Sequence, residues 1–331
     1  MSKKVVAVAG ATGAQGGGLA RAILSDSNGE FTVRALTRNR NSKKARALAD
    51  LGAEVVEANV DEVSSLRRAF EGAYGAFCVT FFWEHLSPER ETAQARALAQ
   101  AAKDTGVEHV IWSTLEDSRK WIPLDDKGMP TLQGRYKVPH LDSKAEADVD
   151  FRKLPSTLLL TSFYFDNLIM FDMGPKRGPD GKLAFTLPIA DARLATIAAE
   201  DIGKCAYGIF QRGKELIGQT AGIAGEFLTG PQMAAQLTEA IGEEVGYNYV
   251  PPEIFRTLPI PAADDVANMF QFFRDFGDDL CALRSLDFSR SVNPQMQTFG
   301  DWLKDNVSRL PIEQKGFRLA SSPYSDTPVH N

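Results

Sequence analysis

The residues of this chain best suited to chemistry stand in three places. The first is VVAVAGATGAQG at residues 5–16, with Gly10, Gly13 and Gly16 at even spacing. The apolar run Val5, Val6, Ala7, Val8, Ala9 does not alternate and reads as a strand buried on both faces; Leu19, Ala20, Ile23 and Leu24 then open an amphipathic helix. Strand, glycine turn and helix together make a cradle for a pyrophosphate. Gly10 permits the turn, Gly13 admits backbone close to the phosphates, Gly16 lets helix and strand pack closely, and the helix N-terminus offers N–H groups and a positive dipole end. The second place is the basic cluster Arg38, Arg40, Lys43 and Lys44 behind FTVRALTRN. An acidic residue there would accept hydrogen bonds from the ribose of NAD, whereas Arg38 suits a 2′-phosphate and points to NADP, with no carboxylate in place to repel it. The alternative is a solvated basic loop. The third is HLDSK, where His140 and Lys144 lie four apart on one helix face. A histidine can donate a proton near neutral pH, and an ammonium can hold ribose hydroxyls. The plainer reading makes His140 a surface residue at a helix start and leaves Lys144 to bind cofactor alone.

The elements that must position these groups follow in βα order. A helix over 43–50 leads to a third strand ending in Asn59 and Val60, at the adenine edge, with Asp61 expected to cap the next helix. The fourth strand, AFCVTFF, ends in Thr80, Phe81 and Phe82 beside the nicotinamide ribose. Cys78 within it is expected to be core, since no cation flanks it to lower its pKa. After a helix over 88–105, the fifth strand carries Ser113 and Thr114. Residues 117–139, with Trp121 and Tyr136, read as a loop at the site's rim, long enough for a lid. A helix over 141–151 carries Lys144, and the sixth strand runs into FYFDNL. Asp180-Gly181 reads as a hairpin turn. The Phe-rich face of DVANMFQFFRDFG reads as core or subunit interface. The sequence therefore predicts a Rossmann-type, doubly wound parallel α/β sheet over 1–168, a smaller α/β lobe over 169–320 interleaved with the sheet, and a frayed tail at 321–331.

Composition narrows the class. A chain of 331 residues, 44% hydrophobic, can bury a large core, and a formal charge of −6 argues against general affinity for nucleic acid. No apolar run is long enough to span a bilayer, and MSKK leads directly into the first strand, so no secretory signal or membrane association is expected. The dispersed Cys78, Cys205 and Cys281 fit reduced thiols, and the location expected is cytoplasmic, with the nucleus also open. The four histidines have no partners at metal-ligand spacing, and neither a Gly-x-Ser-x-Gly elbow nor a P-loop Lys follows a glycine run.

Taken in order, GATGAQGGGLA, ALTRN, VTFFWE, HLDSK, SFYFDNL and DVANMF resemble the NmrA-like family of the atypical short-chain dehydrogenase/reductase superfamily. They are most similar to its redox-sensor branch, whose members bind NADP(H) and act through protein partners. The resemblance covers nearly the whole chain. It implies cofactor contacts at Gly10, Ala11, Thr12, Gly13, Ala14 and Gln15; at Arg38, Asn39, Arg40, Asn41 and Ser42; at Asn59 and Val60; at Thr80, Phe81 and Phe82; at Lys144; and at Tyr164, Phe165, Asp166 and Asn167. Thr161-Ser162 stands where that branch commonly has Arg-Pro, and Asn41 and Ser42 alter the basic motif. Active short-chain reductases place a Tyr four residues before the Lys, and here that residue is His140, with Tyr136 a further turn back. The resemblance thus implies a redox sensor, monomer or homodimer, whose NADP(H) occupancy controls binding to a transcription regulator or metabolic enzyme. The alternative is an NADPH-dependent reductase of a small carbonyl, quinone or enone substrate, with Lys144 or His140 assisting. An open groove lined by Phe163, Tyr164 and the Phe-rich helix argues for the reductase. A blocked cleft, or an exposed apolar patch at the rim loop, argues for the sensor.

Overall fold

The computed structural model describes residues 2–312; the tail expected at 321–331 lies outside them. Seven strands form one sheet in the order β11-β6-β5-β4-β1-β2-β3, where β1 is Lys4–Val8, β2 Phe31–Thr37, β3 Glu54–Glu57, β4 Gly75–Cys78, β5 His109–Thr114, β6 Ser156–Leu160 and β11 Thr220–Gly222. Every neighbouring pair is parallel, as the doubly wound expectation requires. The connections are helical: α1 (Ala14–Ser25), α2 (Lys43–Asp50), α3 (Val63–Phe70), α4 (Pro88–Thr105) and α5 (Pro139–Phe151). Val6, Ala7, Val8 and Ala9 have no exposed surface, because both faces of the central strand are covered by helices. Strand order reverses between β1 and β4, and at such a switch point the diverging loops leave a crevice at the carboxyl edge of the sheet.

After β6 the chain alternates between sheet and lobe. It adds β7 (Phe163–Tyr164), α6 (Asn167–Met170), β8 (Lys176–Arg177), β9 (Leu183–Thr186) and β10 (Leu194–Ile197). The helix α7 (Ala199–Gln211) then covers the sheet, and β11 joins its edge. The remainder is β12 (Glu226–Leu228), α8 (Gly230–Ile241), β13 (Val245–Asn248), α9 (Pro252–Phe255), α10 (Ala263–Ala282), α11 (Leu286–Val292) and α12 (Phe299–Asn306). The small sheets β12-β10-β7 and β13-β9-β8 belong to the lobe, and β8 and β9 form the hairpin whose turn holds Gly181 at φ 79°. The lobe has its own core, in which Phe165 packs on Phe299 and Trp302, and Phe270 on Phe163 and Phe255.

Two close approaches of backbone set the site's geometry. A Cβ on Gly16 would lie 2.5 Å from the Gly10 carbonyl oxygen, so only glycine lets α1 start directly against the loop that follows β1. On its other side α1 meets α7 with no side chain between them: a Cβ on Gly203 would lie 2.1 Å from the Leu19 nitrogen, and one on Gly18 2.3 Å from the Glu200 carbonyl oxygen. Gly10 itself adopts φ +62°, a left-handed turn that costs other residues conformational energy.

The rim loop at 117–139 is fastened on both sides. Asp142 of α5 accepts hydrogen bonds from Ser118, Lys137 and Val138 amides and the Ser118 hydroxyl, while Asn268 and Gln271 of α10 donate to loop carbonyls. Lys137 is fully buried, its ammonium donating to the Asp126 and Met129 carbonyls. A loop held in this way is tied to α5 on one side and to α10 on the other. Asp61 departs from expectation. The residue at the start of α3 is Glu62, and no side chain caps that helix, because the Asp61 carboxylate is drawn across to Arg90 and Gln94 of α4.

The α1–α7 contact leads to a stability prediction. Gly203→Ala must push two backbones apart and is expected to cost at least the ~1–3 kcal/mol of ordinary overpacking. Gly300→Ala in α12, where the new Cβ meets nothing closer than 3.4 Å, is expected to be neutral or slightly stabilising. Thermal unfolding of the two variants checks this, and equal melting temperatures would contradict it.

Candidate active site

A single continuous cleft of about 610 Å³ occupies the switch point. Gly10, Thr12, Gly13, Ala14, Gln15 and Gly16 form its centre, and α1 begins there with no side-chain cap, so its positive dipole end faces the cleft. Arg38, Asn39, Ser42 and Val60 line one end, and Thr80, Phe81, Phe82, His140, Lys144, Tyr164 and Asn167 line the floor and the other end. Gln15 donates to the Tyr164 hydroxyl across the cleft, while its own Oε1 is buried without a partner. An orphaned acceptor beside an uncapped helix start fits a ligand that brings both anionic groups and hydroxyl donors.

Six of the residues implicated by the resemblance do not line this cleft. Ala11 and Asp166 face a shallower cavity behind the glycine loop, and Asp166 accepts from the Ala199 amide at the start of α7. Phe165 is fully buried in the lobe core. Asn59 folds back into its own turn, accepting from the Asp61 amide and donating to Glu62, and Arg40 and Asn41 stand exposed on the β2–α2 loop.

The floor is charged and buried. Lys144 reaches down from α5 and donates to the Thr80 carbonyl at 3.0 Å, the Thr80 hydroxyl at 2.7 Å and Glu91 Oε1 at 2.8 Å. Glu91, in the first turn of α4, has no exposed surface; it also accepts from the Thr80 hydroxyl, and His85 Nε2 stands 3.3 Å from its other oxygen without hydrogen-bond geometry. Burial is the largest single influence and would raise the Glu91 carboxyl, but the Lys144 charge, neighbouring His85 and the Lys144 and Thr80 hydrogen bonds together hold the group down at about 2. Nearby Cys78 is core, and burial alone pushes its thiol up.

Arg38 is not as the sequence suggested. Its guanidinium is ion-paired with Glu84, which arrives from the short turn Phe82–Glu84 beyond β4, so a carboxylate does stand beside it. His140 is likewise no surface residue. It is 5% exposed, with Nδ1 2.7 Å from Asp265 Oδ1 and its ring 4.7 Å from that of Trp83.

The far end of the cleft consists largely of residues the sequence reading missed. Val266, Met269, Phe273, Gly277 and Leu280 of α10, with Arg284 just beyond it, line one wall at successive turns, opposite Phe163, Tyr164, Trp83 and Phe171. Their spacing of three and four residues was visible as a helical stripe, but nothing local shows whether such a stripe faces core or cavity. Buried Arg284 pairs with Glu116 at 2.5 Å and donates to the Thr161 carbonyl and Ser162 hydroxyl. The chamber is therefore apolar, with paired charges at its edges. Among the described residues no cluster of His, Cys, Asp and Glu could hold a metal, and no helix is long and apolar enough to cross a membrane.

Removing Glu91 leaves the Lys144 ammonium buried without its counter-charge, and Glu91→Ala is expected to cost about 3–5 kcal/mol at neutral pH. The Glu91 carboxyl ionises near 4.5 when unfolded and near 2 when folded. Its stabilisation is therefore complete above pH ~4.5 and lost as pH falls towards 2. Denaturant unfolding across this range should show the gap between wild type and variant closing with acid; a constant gap contradicts the assignment.

Comparison with known proteins places this geometry in context. The model of the NmrA-like family matches residues 2–303. An NmrA-like family domain-containing oxidoreductase, FrzB of Cladobotryum sp, is 28% identical over 82% of this chain and 84% of its own length. A protein with the same domain from Dictyostelium discoideum is 26% identical over 84% and 89%. Among solved structures, NmrA, a negative transcriptional regulator crystallised with NADP, superposes with a TM-score of 0.74 at 23% identity, over 92% of this chain and 95% of that one. The NADP(H) complex of Citrobacter sp. triphenylmethane reductase gives 0.69 at 19% identity, over 92% and 99%. With a family model spanning nearly all of the described residues and a doubly wound sheet that closes on a glycine-lined cleft, the chain belongs to the NmrA-like family.

Proposed function

We propose that this protein is a reductase that uses a nicotinamide dinucleotide, NADP(H) in preference to NAD(H), on an apolar compound with a polarised carbonyl or conjugated double bond. The observation that carries this reading is the continuity of the cleft. It runs from the glycine loop past Lys144 into a chamber lined by the α10 stripe, with Phe163 and Tyr164 among its other lining residues. Its volume falls within the ~300–1,000 Å³ of small-molecule sites. A sensor has no use for such a chamber beyond the cofactor, and several relatives carry the name oxidoreductase.

Bound dinucleotide supplies two electrons to the substrate. The chain supplies placement. The start of α1 and the glycine loop would receive the pyrophosphate, Val60 and Leu36 would flank the adenine, and the Lys144 ammonium, held by Glu91 and Thr80, would face the ribose hydroxyls. The apolar walls exclude water and hold a flat substrate beside the cofactor.

Arg38 is proposed to pair with the 2′-phosphate, which must then displace Glu84. Arg38→Ala is expected to lose the preference for NADP(H), a charge-assisted bond of this kind being worth on the order of 1.5–3 kcal/mol. Glu84→Ala, which frees the guanidinium, is expected to strengthen NADP(H) binding while leaving NAD(H) unchanged. Calorimetric titration of both cofactors into the three proteins decides this; equal affinity for the two cofactors in wild type would refute the assignment.

The reductase reading itself is tested by following NADPH absorbance over a panel of aldehydes, ketones, quinones and enones. Turnover is expected in the ordinary range of about 1–1000 per second for at least one flat apolar member. Absence of turnover across the panel, with cofactor bound, would return the protein to the sensor class.

A further inference from the structure

Asp265 lies in the first turn of α10, 5% exposed, and its carboxylate meets the start of α5. Oδ1 accepts from His140 Nδ1 at 2.7 Å and Oδ2 from the His140 backbone amide at 3.3 Å, so one carboxylate fixes both the ring and its place on the helix. The ring is further held between Phe82 and Trp83, with centroids at 5.8 and 4.7 Å. A carboxylate only accepts, so Nδ1 carries a proton and the chemistry falls to Nε2, at the opposite edge. Nε2 makes no hydrogen bond with the described residues, and the side chain is part of the cleft wall.

Three polar side chains nearby are engaged by the protein itself. Lys144 is held by Thr80 and Glu91 and is assigned to the ribose, the Thr80 hydroxyl donates to Glu91, and Ser162 donates to the Ile223 carbonyl. The charges around the ring are paired as well: Lys144 with Glu91, Arg284 with Glu116, and Glu84 with Arg38, while His85 stands beside Glu91. Asp265 is therefore the carboxylate that answers to His140.

We infer that His140 donates the proton in the proposed reduction and that Asp265 is its positioning residue; the inference rests on the reductase reading. As the reduced dinucleotide passes a hydride to the electrophilic carbon of a carbonyl, the π pair moves to oxygen, and that oxygen takes the proton from Nε2 of the imidazolium. The N–H bonding pair stays on nitrogen, the substrate gains two electrons and two hydrogens, and the dinucleotide is oxidised. Neutral imidazole then regains its proton from solvent.

The test pairs His140→Gln and Asp265→Asn with wild type, using 9,10-phenanthrenequinone and cinnamaldehyde with NADPH. His140→Gln should lower kcat by about a hundredfold or more, in the range of general acid catalysis, with NADPH affinity and melting temperature close to wild type. In Asp265→Asn kcat should fall while the KM of the probe and NADPH affinity stay close to wild type, because the ring is no longer fixed with Nε2 free for the substrate. Independently of turnover, ¹⁵N spectra of the cofactor-free protein should show neutral His140 protonated at Nδ1 in wild type. Unchanged kcat in His140→Gln or in Asp265→Asn, or an Nε2-protonated neutral ring, overturns the assignment. A wild type that reduces neither probe nor any member of the wider panel sinks the reductase reading, and this inference with it.

Discussion

A carboxylate with no solvent survives as an anion only if the protein supplies its counter-charge, and Glu91 is such a group. Its partner, Lys144, comes from α5, the bridging hydroxyl from the end of β4, and the carboxylate from α4. Three elements are thereby tied at the carboxyl edge of the sheet, directly beneath the cleft. The ammonium cannot swing away without leaving Glu91 unpaired, so Lys144 is held at the cleft floor before any ligand arrives. The glycine contacts act in the same sense from the other side, since α1 lies against its loop and against α7 with no side chain to relax. The cleft is rigid where a cofactor's phosphates and ribose would sit.

The far end is built differently. The α10 helix brings Val266, Met269, Phe273, Gly277 and Leu280 along the chamber, while Phe270 and Phe272, on the two flanks of that stripe, are buried in the lobe core. One helix thus sets the chamber wall, carries Asp265 behind His140, and fastens the rim loop through Asn268 and Gln271.

What could be read from the sequence follows the range of the interactions. The strand, glycine turn and helix at 4–25 were legible because each signal is local: an apolar run, a spacing of three, and a period of 3.6. The strands and helices of the sheet were placed by the same means. The lining of the cleft was legible where it lies on that frame, as at Gly10, Thr80 and Lys144. It was misread where a distant partner decides. Asp61 looked like a cap until Arg90 claimed it, Arg38 looked free of carboxylates until the turn after β4 delivered Glu84, and His140 looked exposed because Asp265 lies 125 residues away. A propensity rule weighs neighbours in the chain, and an ion pair closing across the fold overrides it.

The central claim is that a dinucleotide bound at the glycine loop leaves one face of its nicotinamide open to the α10 chamber. A crystal structure of the protein with NADP⁺ tests it most directly. The account expects the pyrophosphate at the start of α1, the ribose on Lys144, and the reactive ring carbon exposed to a space bounded by Phe163, Phe273 and His140 Nε2, wide enough for a substrate at the ~3–3.5 Å of a near-attack geometry. A nicotinamide sealed on both faces by Trp83 and Phe81, or a dinucleotide seated away from the glycine loop, would contradict it.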